Sequence, residues 1–391
     1  MPDTVRFIHT GDLHLGITAQ AIPADLQGCT RVLEAAYQTL EHIVDDAIAR
    51  EVDFVIFAGD IFDNPRTMFP AQVRFEAQMQ RLQQADIQVY LVYGNHDPIT
   101  EHIHTFHYPA NVHEFDYRTV EAKHYQGKSG SCTLYGQSFG YRSMRENPVR
   151  RFKRESDATN AIGILHTGLD STGESDYAPC SKADLKRANM DYWALGHLHK
   201  GGCVSQMPTI CYCSSPQALD IGEAGSHGYW YGELSDGQMV VHDWIASGML
   251  DFHVCEVDVS TLCEASELCD RIIQICDQHI ASHPIDTVFR LVLTGERAFN
   301  PVVWNRLITT ELADAIQVKL KVLDARHHIT CWLDAKCIDQ TVPAVDLQQA
   351  AKQNEFIAEL IGAADSLEES AHIKEEALRL LVRALTEEVA L

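Results

Sequence analysis

Over the first 245 or so residues, short unbroken apolar runs alternate with longer amphipathic stretches. Val5–His9, Phe54–Ala58, Val89–Tyr93, Ala161–Leu165 and Tyr192–Leu195 are each bounded and are largely β-branched, aromatic or aliphatic. Runs of this length and make-up predict buried strands. Between the first two, residues from about 31 to 50 place Leu33, Ala36, Leu40, Ile43, Val44 and Ala47 on one face, which predicts a helix. A second helix is expected over about 71 to 85. Ile210–Cys213, Tyr229–Leu234 and Met239–Trp244 read as neighbouring strands joined by turns, Ser235-Asp236-Gly237 being one. Strands alternating with helices in this way predict an α/β sandwich with a mixed sheet.

The pattern changes near Ala246–Gly248. Phe252–Val259 alternates like a strand, and Glu264–Ile280 carries Leu268, Ile272, Ile275 and Cys276 on one helical face. Thr287–Leu293 reads as a strand, Val302–Ile316 as a helix and Ile329–Leu333 as a further strand. Beyond Pro343 the chain turns helical, breaks at Gly362 and restarts at Ser366-Leu367-Glu368-Glu369, which has capping-box spacing. Ile373, Ala377, Leu380, Leu381, Ala384 and Leu385 then form one stripe, fit either to pack on this chain or to dock a partner. The expected division is 1–248, a small α/β domain over 249–342, and C-terminal helices over 343–391. No internal repeat is present.

Composition narrows the class. The 391 residues are 46% hydrophobic and 22% charged, which excludes global disorder and low complexity. No apolar run reaches the roughly 18 residues of a membrane-spanning helix. The opening MPDTVRFIHTGD is unlike a signal peptide, so a cytoplasmic protein is expected. Its twelve cysteines are scattered without a CxxC pair and read as reduced, packed thiols. The net charge is −24. Residues 1–250 hold 19 basic and 31 acidic side chains and residues 251–391 hold 12 and 24, so each part stands at −12. Binding of nucleic acid by bulk electrostatics is thereby excluded, and any such contact has to be local, metal-assisted or supplied by a partner.

Five motifs stand at the ends of predicted strands. They are Gly11-Asp12-Leu13-His14, Gly59-Asp60-Ile61-Phe62-Asp63, Gly94-Asn95-His96-Asp97, His166 after Gly163-Ile164-Leu165, and Gly196-His197-Leu198-His199. Open α/β sheets gather ligands at the carboxyl ends of their strands, so motifs spread over nearly 190 residues can share one site. Imidazole and carboxylate together suit manganese, iron or zinc over calcium. Asp12, His14, Asp60, Asn95, His166, His197 and His199 make seven donors, about right for two ions sharing one carboxylate. His96 adjoins a donor yet is left over, free to act as an acid, and Asp63 is placed to orient it.

The order GDxH, GDxxD, GNHD, H, GHxH resembles the calcineurin-like metallophosphoesterase superfamily. HTGDLHLG, FAGDIFD, YGNHDP and ALGHLHK are more narrowly similar to the SbcD family of DNA repair exonucleases, nearest its YhaO-like branch. Tyr177-Ala178-Pro179-Cys180 and Asp191–His197 strengthen that branch. The resemblance covers about residues 1–245 and implies a four-layer α/β sandwich with mixed sheets, followed by a small α/β capping domain and a helical tail. It implies that Asp12, His14 and His199 hold a first metal, that Asp60 bridges, and that Asn95, His166 and His197 hold a second. It also implies that His96 protonates the leaving oxygen and that Asp63 pairs with it. Two divalent ions are implied, manganese first, with iron, zinc and magnesium as alternatives. The implied reaction is phosphodiester hydrolysis in DNA, as an exonuclease and on single strands as an endonuclease, in a nucleoid-associated homodimer with an SbcC-like coiled-coil ATPase.

For DNA contact the sequence offers Arg142, Arg145, Arg150, Arg151, Lys153 and Arg154, with Tyr141 and Phe152 interleaved. This reads equally as a phosphate-contacting strip and as a solvated loop. Lys182, Lys186, Arg187 and Lys200 read as surface. His102, His104 and His107 read as lining a DNA entry, His327 and His328 as structural, and Trp230, Trp244, Trp304 and Trp332 as core. Two other functions stay open: hydrolysis of small or nucleotide phosphoesters, and a scaffold that recruits an ATPase.

Overall fold

The computed structural model describes residues 3–17, 26–64, 68–101, 108–170, 177–333 and 337–343. The first part of the chain lays down β1 (Thr4–Thr10), α1 (Leu26–Ala49), β2 (Phe54–Ala58), α2 (Met68–Gln84), β3 (Gln88–Val92) and β4 (Val112–Glu114). It continues with β5 (Glu121–Gln126), β6 (Ser131–Gln137), β7 (Ala161–His166), α3 (Lys182–Arg187), β8 (Tyr192–Gly196), β9 (Gly202–Gln206) and β10 (Thr209–Tyr212). It then returns through β11 (Gly228–Ser235) and β12 (Gln238–Ala246).

These strands form two six-stranded sheets, ordered β12-β11-β1-β2-β3-β4 and β5-β6-β7-β8-β10-β9. β1 to β4 run parallel and β11 runs antiparallel to β1. β6, β7, β8 and β10 run parallel, with β5 and β9 antiparallel at the edges. The two-residue period of a strand sorts side chains between faces. Val5, Phe7, Phe54, Ile56 and Ala58 meet Leu134, Ile162, Ile164, Tyr192 and Ala194 in a core between the sheets. Ile8, Val55 and Phe57 turn the other way, under Leu40, Val44, Phe75 and Met79 of the two long helices. Trp193 and Leu195 turn outward to Val149, Phe152 and Leu185. The layers are therefore helix, sheet, sheet, helix, the sandwich that the resemblance implies.

The eight runs read as strands in this first part each coincide with a strand, with ends moved by at most two residues. Asp236 (φ 48°) and Gly237 (φ 77°) close the β11–β12 hairpin, whose two central residues both need positive φ. β4, β5, β6 and β9 escaped the sequence pattern. β5 reads Glu-Ala-Lys-His-Tyr-Gln and alternates half-buried with exposed residues, while β6 is buried but rich in Ser, Thr, Gly and Gln. The described cysteines are all free thiols. Trp304 is buried, but Trp230, Trp244 and Trp332 are half-buried.

The chain divides into two compact units at His253/Val254, with residues 285–288 counted in the first. In the second, β13 (Leu250–Asp258) leads to α4 (Ala265–Ser282), β14 (Asp286–Thr294), β15 (Glu296–Arg297) and α5 (Pro301–Arg306). A π-helical turn (Leu307–Glu311), α6 (Leu312–His327), β16 (Cys331–Leu333), β17 (Ile338–Asp339) and β18 (Val342–Pro343) follow. Leu268, Ile272, Cys276, Phe289, Leu291, Ile316 and Leu320 are among its core. The helix expected over Val302–Ile316 runs on to His327 with a π turn inside it. There Thr309 and Thr310 hydroxyls bond the carbonyls of Asn305 (2.6 Å) and Arg306 (2.8 Å), competing with the backbone ladder. The tail over 344–391, with its Ser366–Glu369 cap and apolar stripe, lies outside the described residues, as do His102, His104 and His107. Among the described residues no helix is long and apolar enough to cross a membrane.

Candidate metal centre

Asp12 and His14 follow β1, Asp60 and Asp63 follow β2, and Asn95 and His96 follow β3. His166 ends β7, and His197 and His199 follow β8. Four of these residues hold positive φ: Asp12 (48°), His14 (44°), Asp60 (48°) and His197 (105°). Such conformations cost about 1–3 kcal/mol each in non-glycine residues and persist only where the surroundings enforce them. The loops also crowd one another. A Cβ on Gly59 (φ 97°) would fall 2.5 Å from Nδ1 of His166, and one on Gly94 would fall 2.2 Å from Oδ1 of Asp60.

Asp12, His14 and His199 offer donor atoms within 4.8 Å of one another, and Asp12, Asp60 and His166 form a second such group. Asn95 joins the second group, its Oδ1 3.0 Å from Nε2 of His166. Asp60 also reaches His14, Oδ2 to Nε2 at 3.9 Å. His197 sits beside these groups by other contacts. Its ring packs on that of His166 with centroids 5.1 Å apart, and its backbone N–H donates to Asp12 at 3.0 Å.

The orientation of the imidazoles shows what the donors would accept. His199 Nδ1 bonds Glu223, and His14 Nδ1 faces Asp63 Oδ1 at 3.4 Å. Both carboxylates call for N–H at Nδ1, which leaves two Nε2 lone pairs facing each other at 3.1 Å. His166 donates Nδ1–H to the Ala58 carbonyl (3.0 Å) and turns Nε2 to Asp60 Oδ2 (3.2 Å). Lone pairs set against lone pairs and carboxylates ask for a cation between them. Against burial, Asp60 pushes the His166 pKa up to about 9. Burial, together with the His166 charge, takes His197 down to about 4, leaving it neutral. The residues present fit a pair of divalent ions.

His96 is 44% exposed in its side chain, opening the centre to solvent on that side. Its backbone N–H donates to Asp60 Oδ1 at 2.8 Å. Its Nδ1 lies 3.2 Å from the Asp63 carbonyl and 3.6 Å from the Asp63 carboxylate. Asp63 therefore orients His96 mainly through its main chain, and its carboxylate stands closer to His14. The Asp63 contacts, against burial, raise the His96 pKa to about 9.

Three supporting residues have roles that the motifs alone do not reveal. Glu223 lies in a 3₁₀ turn after β10 with no motif around it. Asp97, inside the GNHD motif, accepts from the N–H groups of Ile61 (2.7 Å), Phe62 (3.1 Å) and Gly94 (2.7 Å), lacing two loops together. Burial and then the Asp60 charge push its pKa up to about 8. Tyr177, 40% exposed, lays its ring on His197 with centroids 4.7 Å apart. Carboxylates that orient ligand histidines are worth about 10–100-fold in metal affinity. Glu223→Gln is accordingly expected to weaken one metal equivalent by about that factor in a calorimetric titration. Unchanged binding would show that His199 needs no orienting partner.

The basic segment is not one continuous strip. Arg154 turns inward to Asp191 (2.7 Å) and to the carbonyls of Asn189, Ala158 and Thr159, so it serves the fold and not a ligand. Phe152 is buried on Trp193. Arg142 pairs with Glu101 (3.1 Å) and Arg151 with Glu146 (3.0 Å). Arg150 and Lys153 are exposed. Arg145, Arg150 and Arg151 line a cavity of about 700 Å³ with Asp170, Pro179 and Asp184. Lys200 is exposed and His327 pairs with Asp277 at 2.7 Å.

With this geometry in place the class is set: the chain belongs to the calcineurin-like phosphoesterase family, whose sequence model matches residues 5–201, just over half of it. The family binds two divalent metals, and the Asp/His groups described above could hold such ions. It is 36% identical over 244 residues to the uncharacterized metallophosphoesterase YhaO of Bacillus subtilis, covering 60% of this chain and 59% of that one. It is 27% identical over 197 residues to a DNA double-strand break repair protein of Sulfurisphaera tokodaii (50% and 49%). It is 23% identical over 267 residues to a component of the SbcCD nuclease of Escherichia coli (58% and 64%). The chain thus spans less than two thirds of the length of these relatives. A dimetal phosphatase from Danio rerio aligns over 62% of this chain and 99% of its own, at 11% identity and TM-score 0.35.

Proposed function

We propose that this chain is a DNA phosphodiesterase, an exonuclease that also cuts single strands internally. The observation that carries the reading is the open face of the centre, where the His96 side chain is 44% exposed and Tyr177 offers an aromatic ring against His197. Similarity to a nuclease component and to a DNA repair protein supports it. Asp12, His14 and His199 would hold one ion, Asn95, His166 and His197 the other, with Asp60 shared. Manganese is the ion proposed. When bound, such a pair supplies Lewis acidity at phosphate oxygens and lowers the pKa of water from about 15.7 towards 7. The chain's own residues do the rest. His96, held protonated on both nitrogens by its raised pKa of about 9, keeps Nδ1–H on the Asp63 carbonyl and passes its Nε2 proton to the leaving oxygen as the P–O bond breaks. Tyr177 stacks on a base, and Arg145 and Arg150 meet phosphates locally, as a chain of net charge −24 requires. Residues 343–391 are proposed to dock an SbcC-like ATPase, with the nuclease acting as a homodimer. Truncation at Pro343 should then abolish ATPase binding and spare hydrolysis.

One observation favours a second reading, a small nucleotide ester as substrate. A cavity of about 390 Å³ beside His199 is lined by Lys200, Trp230 and Trp244, room enough for one base. The test is cleavage of end-labelled single- and double-stranded DNA with manganese or chelator, beside bis-p-nitrophenyl phosphate and nucleotide esters. Base stacking is worth about 1–3 kcal/mol, so Tyr177→Ala is expected to cut DNA roughly 10- to 100-fold more slowly and to affect the small ester far less. Uncut DNA beside rapid turnover of nucleotide esters would replace the first reading by the second.

A further inference from the structure

A separate set of ligating side chains lies in the sheets themselves. Cys203 is on β9, Cys211 on β10 and His242 on β12. Their two sulfurs and one ring nitrogen lie within 4.8 Å of one another. The Cys211 sulfur is 3.6 Å from Nε2 of His242. The three residues come from both sheets, since β12 belongs to one and β9 and β10 to the other.

The convergence depends on a local break in register. Thr209 faces Gln206 and Ile210 faces Ser205, so an unbroken ladder would set Cys211 against Val204. A bulge after Ile210 skips Val204 and sets Cys211 against Cys203 instead. Without it the two cysteines would point to opposite faces of the sheet. His242 is fixed by its own neighbours: its ring stacks on Trp230 at 4.1 Å and 9° and meets Tyr192 edge-on at 5.7 Å.

The donor set differs from that of the phosphoesterase centre. Two thiolates and an imidazole select zinc over magnesium or manganese. Zinc–sulfur bonds of about 2.3 Å and zinc–nitrogen bonds of about 2.0–2.1 Å at a tetrahedral angle hold S and N about 3.6 Å apart. That is the separation found between Cys211 and His242. Burial lowers the His242 pKa, which leaves the ring neutral and its lone pair available. Cys203 is exposed, so solvent can reach the fourth position and the ion can enter.

We propose that Cys203, Cys211 and His242 bind one zinc ion, with water as fourth ligand, clamping β9 and β10 of one sheet to β12 of the other. On binding, both thiols lose their protons to solvent and no bond is oxidised. The proposal does not rest on the substrate of the phosphoesterase centre and can fail independently of it.

The full chain, reduced, stripped of metal and titrated with cobalt(II), is expected to show a thiolate-to-cobalt charge-transfer band in the near ultraviolet. A centre of oxygen and nitrogen donors gives no such band. The band is expected to weaken strongly in Cys203→Ser, an exposed position, and in His242→Gln. A second measurement needs no variant: stoichiometric zinc should slow alkylation of Cys203, read on its peptide by mass spectrometry, and the protection should vanish in His242→Gln. No band in the wild-type chain, a band unchanged in Cys203→Ser, or alkylation of Cys203 at the same rate with and without zinc would each overturn the proposal.

Discussion

His96→Ala is expected to slow DNA hydrolysis by about 10²–10⁴-fold, the usual worth of a positioned general acid, with both metals still bound. The reason lies in how His96 is attached. What it gives the centre through its main chain, the N–H bond to Asp60 Oδ1 at 2.8 Å, survives the substitution. What is lost is the ring, which lies edge-on to His14 at 4.7 Å and is 44% exposed, so the fold loses little with it. The loss should also depend on the leaving group. A nucleoside alkoxide needs a proton as the P–O bond breaks, whereas p-nitrophenolate leaves readily without one. The deficit should therefore be much smaller on bis-p-nitrophenyl phosphate than on DNA. Rates on both substrates, with metal content by plasma mass spectrometry, test this. Equal deficits on the two esters, or loss of metal, would remove His96 from the role of acid.

Asp60→Asn is expected to have the larger structural consequence. Asp60 stands 3.2 Å from His166 Nε2 and 3.9 Å from His14 Nε2, one residue in each donor group. Losing its charge should weaken both ions together. Metal ions supply several kcal/mol of transition-state stabilisation, and at about 1.36 kcal/mol per tenfold the rate should fall by roughly 10³-fold or more. Stability carries an independent signature. Asp12 and Asp97 are buried with raised carboxyl pKa values, so without ions their ionised forms oppose folding, whereas Asp60, against burial, is held ionised by His166 and His14. The wild-type chain should gain about 2.7 kcal/mol when free metal is 100 times the dissociation constant, seen as a rise in the thermal midpoint. Asp60→Asn should show almost no rise, and in chelator it should be less stable than the wild type, because the buried His166 loses the carboxylate that keeps it protonated. A variant that binds two equivalents and is stabilised like the parent would mean that Asp60 is not shared.

The alternation of apolar runs and helical faces makes the strand framework readable, because buried strands carry their own signal in consecutive β-branched and aromatic residues. β5 and β9 are not readable for the converse reason. They are edge strands whose residues are half-buried or exposed throughout, so neither carries a buried apolar run. The site residues are readable because each stands in a short motif at a strand end. Glu223 is not, since its role follows from a turn that brings it to His199 from 24 residues away.

Local sequence thus dictates the strand-end motifs, the residue types of the metal centre, the overall layering and the acidity that limits DNA contact to local patches. How those residues are used follows from folding in three dimensions. The fold turns His14 and His199 so that their lone pairs meet, because carboxylates on the far side of each ring claim Nδ1. It orients His96 by the Asp63 carbonyl more than by its carboxylate. It withdraws Arg154 from the basic segment, because Asp191 lies within reach. It brings Cys203 to Cys211 and His242 through a single skipped residue. Each of these depends on proximity between segments distant in sequence, which local periodicity does not encode.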